Sequence, residues 1–149
     1  QLDRQLNTVV EILPWREATK TVRHLLENIV YTKEVWAAAL SGGEMPNPRG
    51  SERSPAAMLA RLEKTDAELH RIFHDVGRRG GWDDTFVDAL CEPAETFTFG
   101  GVFAHIMTFN AYRRLMALDA LRRLGVNVEG FGCPIEYEES MTAAHAKGE

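Results

Sequence analysis

Cysteine, long apolar runs and long basic runs are scarce or missing in this chain of 149 residues. Its two cysteines, Cys91 and Cys133, fall in predicted loops and form neither a disulfide framework nor a metal-ligand spacing, so free thiols are expected. No apolar stretch approaches the roughly 18 residues that a membrane-spanning helix needs. The sequence also contains no P-loop, no GxGxxG, no GxSxG and no Cys/His nucleophile arrangement, which argues against the enzyme classes built on them.

The charge balance is mildly acidic, with 17 Lys and Arg against 22 Asp and Glu and a net charge of −5. Because no basic run could follow a phosphate backbone, we predict no nucleic-acid binding by this domain alone, and no membrane partner. The apolar fraction of 44% and the charged fraction of 26% are ordinary for a globular protein. Without a signal-peptide pattern, a cytoplasmic location is the default prediction.

Helical periodicity dominates what is present. The apolar spacing and the stop signals predict four helices, over Gln1–Leu13, Thr21–Leu40, Pro55 to about Arg78, and Thr98–Gly125. The stretch from Gly80 to Phe97 shows no convincing strand pattern and is expected to be irregular. The sequence therefore predicts an all-α, up-and-down four-helix bundle with a long crossover between the third and fourth helices.

A single domain over residues 1–149 is expected, because this length can bury a sizeable core. The last dozen residues are expected to be weakly helical or disordered. The chain begins at Gln1 within a helical pattern, so it could equally be one domain of a longer protein.

The fourth predicted helix carries the most informative face. At about 100° per residue, His105, Phe109, Tyr112 and Met116 share one side, which we predict to face the core. His105 is the one titratable group on that side, so any polar chemistry of the core is expected near it.

The second helix (TVRHLLENIVYTKEVW), the Gly/Pro-rich loop, the helix that starts at Ser54-Pro55 and the segment TFGGVFAHIMTFNAYRRL together resemble the DinB/YfiT-like superfamily. The resemblance covers nearly the whole chain. It implies a four-helix bundle with a long crossover, often dimeric. Many members bind a divalent metal through three histidines, and some relatives are thiol-dependent transferases or isomerases.

The resemblance also implies where a metal site would lie. The family histidine of the second helix falls on Asn28, and the pair of the fourth helix falls on His105 and Phe109. A further histidine position falls on Tyr112, and the family arginine on Arg113. Only His105 and Arg113 match, and neither Phe109 nor Asn28 suits zinc or nickel. We therefore expect no metal cofactor, with zinc or nickel at a degenerate site around His105 as the alternative.

Other polar residues have a functional and a structural interpretation. His105 is either a remaining ligand or base, or a hydrogen-bonded core histidine. Arg113 and Arg114 could hold an anion at the bundle mouth, but surface ion pairs are the favoured prediction. Several other residues could be metal ligands, but a solvated side chain is the favoured interpretation for each. They are His24, the i, i+4 pair His70 and His74, the pair Asp83-Asp84, and the acidic run from Glu136 to Glu139.

These observations predict a small apolar ligand pocket floored by Phe109, with Asn28, His105 and Tyr112 as its polar groups and no catalytic residue. Such a pocket suits a small organic ligand better than a hydrolytic water. The predicted function is a non-catalytic ligand-sensing or dimerisation module. The alternative is a divalent-metal-dependent hydrolase or a thiol-dependent transferase. Broad apolar helix faces add the prediction of a homodimer.

Overall fold

A computed structural model describes residues 9–11, 19–47, 52–128, 133–136, 138–139 and 142. Their elements, in chain order, are β1 (Val9–Glu11), β2 (Thr19–Thr21), α1 (Val22–Ser41), α2 (Pro55–Arg78), β3 (Thr85–Asp88), β4 (Glu95–Thr98) and α3 (Phe99–Arg123). Helices dominate these residues, which confirms the predicted all-α class. No helix in this part of the chain has the length and apolar character needed to cross a membrane.

The ends of α1 are set by local chemistry. The Thr21 hydroxyl accepts a hydrogen bond from the His24 amide at 3.1 Å and so satisfies one of the free N–H groups of the first turn. At the other end Gly42 has φ 66°, a left-handed conformation that favours glycine, and its N–H bonds to the last carbonyls of the helix. The predicted second helix is therefore confirmed within a residue at each end.

The helices α2 and α3 begin in the same way. Ser54 accepts from the Ala57 amide at 3.2 Å, and Pro55 occupies the first helical position, where no N–H is needed. Thr98 accepts from the Gly101 amide at 3.1 Å and starts α3. Both predicted helices are confirmed, with α3 ending at Arg123 just before Gly125, which has φ 75°.

Two short antiparallel hairpins contradict the sequence-based expectations. Val9–Glu11 pairs with Thr19–Thr21, so the helix predicted over Gln1–Leu13 is wrong at residues 9–11, and the rest of that range lies outside the described residues. Thr85–Asp88 pairs with Glu95–Thr98, with Phe86 opposite Phe97, so the prediction that Gly80 to Phe97 is irregular is wrong at these strands and holds at residues 80–84 and 89–94. Strands of three or four residues are too short to show a reliable period of two.

The core consists of two clusters in which α1 packs against both other helices. One contains Val22, Leu25, Ala117 and Ala120, and the other contains Ala37, Leu69, Phe73, Val102 and Ile106. While the α1 backbone approaches α2 and α3 closely along much of its length, the α2 and α3 backbones approach each other at few points. A cleft therefore opens between α2 and α3, with α1 as its floor.

The inward side of α3 differs from the predicted one. Its buried residues are Val102, Ile106, Ala117 and Ala120. Phe109 is 47% exposed and Tyr112 37% exposed, so the prediction that both face the core is wrong. Because α3 carries apolar residues around most of its circumference, periodicity alone could not select the side that α1 and α2 cover.

Candidate functional site

The cleft between α2 and α3 has a volume of about 880 Å³. Its lining is mostly aliphatic and aromatic, and it comes from all three helices. The main apolar contributors are Leu26, Ile29 and Val30 from α1, Met58, Leu62 and Leu69 from α2, and Ile106 and Met107 from α3. Cavities of this size and character accommodate small organic molecules.

Three aromatic rings gather at the end of the cleft where α2 ends and α3 begins. The centroid of Phe103 lies 5.0 Å from that of Phe73 in an edge-on arrangement and 5.4 Å from that of Trp82. Trp82 is held in place because its carbonyl accepts from the Gly100 amide at 2.8 Å. A side chain at Gly100 would crowd this contact, since its Cβ would lie 3.1 Å from the Trp82 carbonyl oxygen. This end of the cleft therefore offers an aromatic wall of defined position.

Few polar groups reach the cleft. Lys33 and Asp66, which pair at 2.5 Å, lie along it, and the exposed residues His70, His74 and Arg114 contribute to its rim. Within the lining, the Oδ1 atom of Asn110 is buried and has no hydrogen-bond partner in the described part of the chain. A buried acceptor without a donor is rare in proteins, so this amide is a natural contact point for a ligand.

A charge network beneath the cleft holds its floor against α2. The Arg61 guanidinium donates to both Glu34 oxygens at 2.8 and 2.6 Å, and to both Glu27 oxygens at 3.0 and 3.1 Å. These hydrogen bonds, those to Glu34 first, raise the pKa of Arg61 despite the opposing effect of burial. The network ties two positions of α1 to one position of α2 and so sets the spacing of these helices.

The residues predicted to form a pocket lie elsewhere, on the other side of the α1–α3 contact. The imidazole of His105 stacks on Phe109 with centroids 4.4 Å apart, and it lies edge-on to Trp36 at 5.3 Å. Arg113 places its guanidinium carbon 5.5 Å from the Phe109 centroid. Burial, and secondly the charge of Arg113, lower the pKa of His105.

Asn28 joins this group through its backbone. The Thr32 hydroxyl donates to the Asn28 carbonyl and accepts a hydrogen bond from Arg113. Tyr112 lies apart, at a surface depression of about 270 Å³ that it shares with Leu115 and Leu118. None of the predicted site residues Asn28, His105, Phe109 and Tyr112 lines the large cleft.

The family model of the DinB superfamily matches residues 4–117, which is most of the chain. The chain belongs to the DinB superfamily. This match confirms the resemblance stated above and agrees with a helical bundle. No curated protein and no solved structure matches the chain. Since one fold hosts many functions, the role of this DinB-superfamily domain has to be argued from its own residues.

The donor set of this DinB-superfamily domain does not fit a histidine-bound metal. Of the three family ligand positions, only His105 carries an imidazole, while Phe109 has no donor atom and Asn28 offers a weak one. Among the described residues, no group of three or more His, Cys, Asp or Glu side chains could hold a metal ion. His70 and His74 stack at 6.0 Å on the exposed face of α2, without a third ligand.

The structure gives contacts for several of the remaining sequence-based candidates. Cys91 and Cys133 are free thiols, as predicted. The Cys91 thiol donates to Asp88 at 3.3 Å, which raises its pKa and disfavours the nucleophilic thiolate. Asp84 pairs with Arg79. The prediction that Arg113 forms a surface ion pair is wrong, because it lies partly buried and contacts no carboxylate among the described residues.

The sequence-based predictions included neither the cleft nor Asn110, although the spacing of residues in α3 could have indicated Asn110. Asn110 follows Val102 and Ile106 at intervals of four, so it continues the buried stripe of α3 and stands where an apolar residue is expected. A polar residue within a buried stripe either has a hydrogen-bond partner or is left unpaired. The sequence alone cannot distinguish these two cases, because the answer depends on how the neighbouring helices are placed.

Proposed function

We propose that this DinB-superfamily domain is a non-catalytic module that binds a small, largely apolar organic molecule in the cleft between α2 and α3. The observation that carries the proposal is the cavity of about 880 Å³, whose apolar lining surrounds the unpaired Asn110 oxygen. Ligand pockets combine in this way a large apolar surface with a few polar groups that orient the ligand.

The lining indicates the chemistry of the ligand. An apolar body would contact Leu69 on the α2 side and Ile106 on the α3 side, and a ring would fit against Phe73 and Phe103 at the aromatic end. The ligand should carry a hydrogen-bond donor, such as a hydroxyl or an N–H, because the unpaired Oδ1 of Asn110 is an acceptor. Leaving that acceptor unpaired costs about 1–3 kcal/mol, so a ligand with a matching donor is favoured over one without it.

The alternative is a metal-dependent hydrolase or a thiol-dependent transferase. A metal-dependent hydrolase needs a cluster of metal-ligating side chains, which the described residues do not bring together. His105 is held between two aromatic rings and next to a cation, which disfavours protonation and metal binding alike. Elemental analysis of protein purified without a histidine tag tests this alternative. Near-stoichiometric zinc or nickel that disappears in His105→Ala would overturn the non-catalytic hypothesis.

The cleft is tested with a neutral apolar dye, N-phenyl-1-naphthylamine, whose fluorescence rises in apolar surroundings. Ala111→Phe places a ring at the exposed mouth of the cleft, and Ala60→Phe places the same ring at an exposed helical position outside its lining. We expect saturable binding to the wild type and to Ala60→Phe, and binding weakened at least about tenfold, or 1.4 kcal/mol, in Ala111→Phe. Equal affinity in both variants, or no binding to the wild type, would refute the proposal.

We also infer that the domain forms a homodimer, as the sequence predicts. Leu115 supports this inference, since it is 47% exposed beside Tyr112 and Leu118 on the outer side of α3. Exposed apolar side chains that adjoin one another are typical of association surfaces. Light scattering is expected to give a dimer for the wild type and a monomer for Leu115→Glu. A wild-type monomer at micromolar concentration would contradict the inference.

A further inference from the structure

Arg113 is a partly buried cation without a carboxylate partner among the described residues. Arg61 shows the contrast, because it is held by two glutamates, and Arg78 and Arg123 pair with Asp75 and Asp119. Arg71, Arg114 and Arg122 also have no carboxylate partner in the described part of the chain, but they are exposed to water. Arg113 instead donates one hydrogen bond to the Thr32 hydroxyl and lies over the Phe109 ring. A neutral hydroxyl and a ring face are weak compensation for a cation that is partly shielded from water.

The electrostatics of this position agree with an uncompensated charge. Burial lowers the pKa of Arg113, so its environment disfavours the cation relative to water. The same charge contributes, after burial, to lowering the pKa of His105. A guanidinium carries five N–H donors in a planar fork, and Thr32 takes only one of them. Donors therefore remain for an anion.

The surroundings favour an organic anion with a flat carboxylate. The guanidinium lies over the Phe109 ring, His105 stacks on Phe109, and Trp36 stands edge-on to His105. Phe109 is 47% exposed, so this aromatic group is reached by solvent. A carboxylate matches the fork of one arginine, whereas a phosphate dianion usually meets several cations or amide donors.

We propose that Arg113, together with Thr32 and His105, forms a binding site for a small organic carboxylate. The site is separate from the cleft of the proposed function, because none of these three residues lines that cavity. Arg113 would bind the carboxylate through its free N–H donors, Thr32 would hold the guanidinium in place, and His105 and Phe109 would contact the organic part.

The test is a titration of the wild-type protein with benzoate, followed by NMR of the His105 imidazole, whose signals are assigned with His105→Gln. Benzoate is expected to shift these signals saturably, and benzamide, its neutral analogue, is not. Arg113→Gln should weaken binding at least about tenfold, and Arg113→Lys should keep part of it, because lysine retains the charge but not the fork. Arg122→Gln is the matched control, since it removes the same charge from an exposed position of α3 that lines neither site, and it should bind as the wild type does.

Equal binding of benzoate and benzamide, unchanged affinity in Arg113→Gln, or no shift at His105 would each overturn the proposal. If Arg113→Gln fails to fold, Arg113→Lys and the neutral analogue still decide the question. Binding of inorganic phosphate in preference to benzoate would overturn the carboxylate assignment. The two sites are distinguished because Ala111→Phe should keep benzoate binding, and because benzoate should not displace the neutral dye from the cleft.

Discussion

Replacing Arg61 by methionine tests the charge network that joins α1 to α2. The substitution keeps an unbranched side chain but leaves Glu27, whose side chain is 8% exposed, with Arg53 at 3.8 Å as its one cationic partner among the described residues. Glu34, whose side chain is 18% exposed, loses both of its short hydrogen bonds to Arg61. Removing one partner of a buried ion pair costs about 3–5 kcal/mol, because the other charge remains buried and unpaired.

A loss of this size is a large part of the 5–15 kcal/mol that typically stabilises a domain. We expect urea unfolding of Arg61→Met to show a midpoint lower by roughly 2 M at unchanged slope, using a typical slope of about 2 kcal/mol per molar. Arg78→Met is the matched control, because the Arg78–Asp75 pair is 72% and 56% exposed and should contribute about 1 kcal/mol or less. Adding Glu27→Gln to Arg61→Met should restore part of the loss, since it removes the unpaired charge.

The pH dependence of this loss has a defined sign. The pKa of Arg61 is raised on folding, so its stabilising contribution is fully present below the ordinary pKa of an arginine and is lost only as the pH rises through the raised value. The difference between wild type and Arg61→Met should therefore not shrink between pH 7 and pH 9. A loss below about 1 kcal/mol, or an equal loss in Arg78→Met, would refute the view that this network determines the helix spacing.

Three further predictions concern the cleft, the histidine and a helix end. Without ligand, Asn110→Leu should raise the free energy of unfolding by about 1–3 kcal/mol, because it removes an unpaired buried acceptor. Calorimetry that shows a less stable variant would contradict this prediction. Folding lowers the pKa of His105, so the unfolded state binds more protons than the folded state as the pH falls below the ordinary pKa of histidine. The free energy of unfolding of the wild type should therefore decrease on acidification, and that of His105→Gln should decrease less. Urea unfolding that shows the same pH dependence for both proteins would argue against this prediction. Ser54→Ala should lower the free energy of unfolding by about 1 kcal/mol, and Ser54→Thr should lower it much less, because the N-cap of α2 is a side-chain oxygen that threonine retains. Equal losses of stability in the two variants, followed by thermal unfolding, would exclude capping as the cause.

The boundaries of the helices could be predicted from the sequence because the signals that set them are local. Ser54 and Pro55 begin α2 through a hydroxyl cap and a residue that needs no N–H. Gly42 ends α1 because a left-handed residue is needed there. Each of these interactions joins atoms within a few residues of one another, so the chain order alone contains the information. The family resemblance, confirmed over residues 4–117, also follows from sequence pattern.

The candidate sites depended on contacts between distant residues. The sequence contains Asn110 and Arg113, but only the packing of α1, α2 and α3 shows their state. Among the described residues, the Asn110 oxygen is buried without a donor, and Arg113 is partly buried without a carboxylate. Likewise α3 offers apolar residues on most sides, and tertiary contacts with α1 selected Val102 and Ile106, leaving Phe109 and Tyr112 half outside. Local preference fixes where a helix starts and stops; which of its faces is covered, and which polar groups are left unpaired, is decided by the competition among all helix faces for the same core.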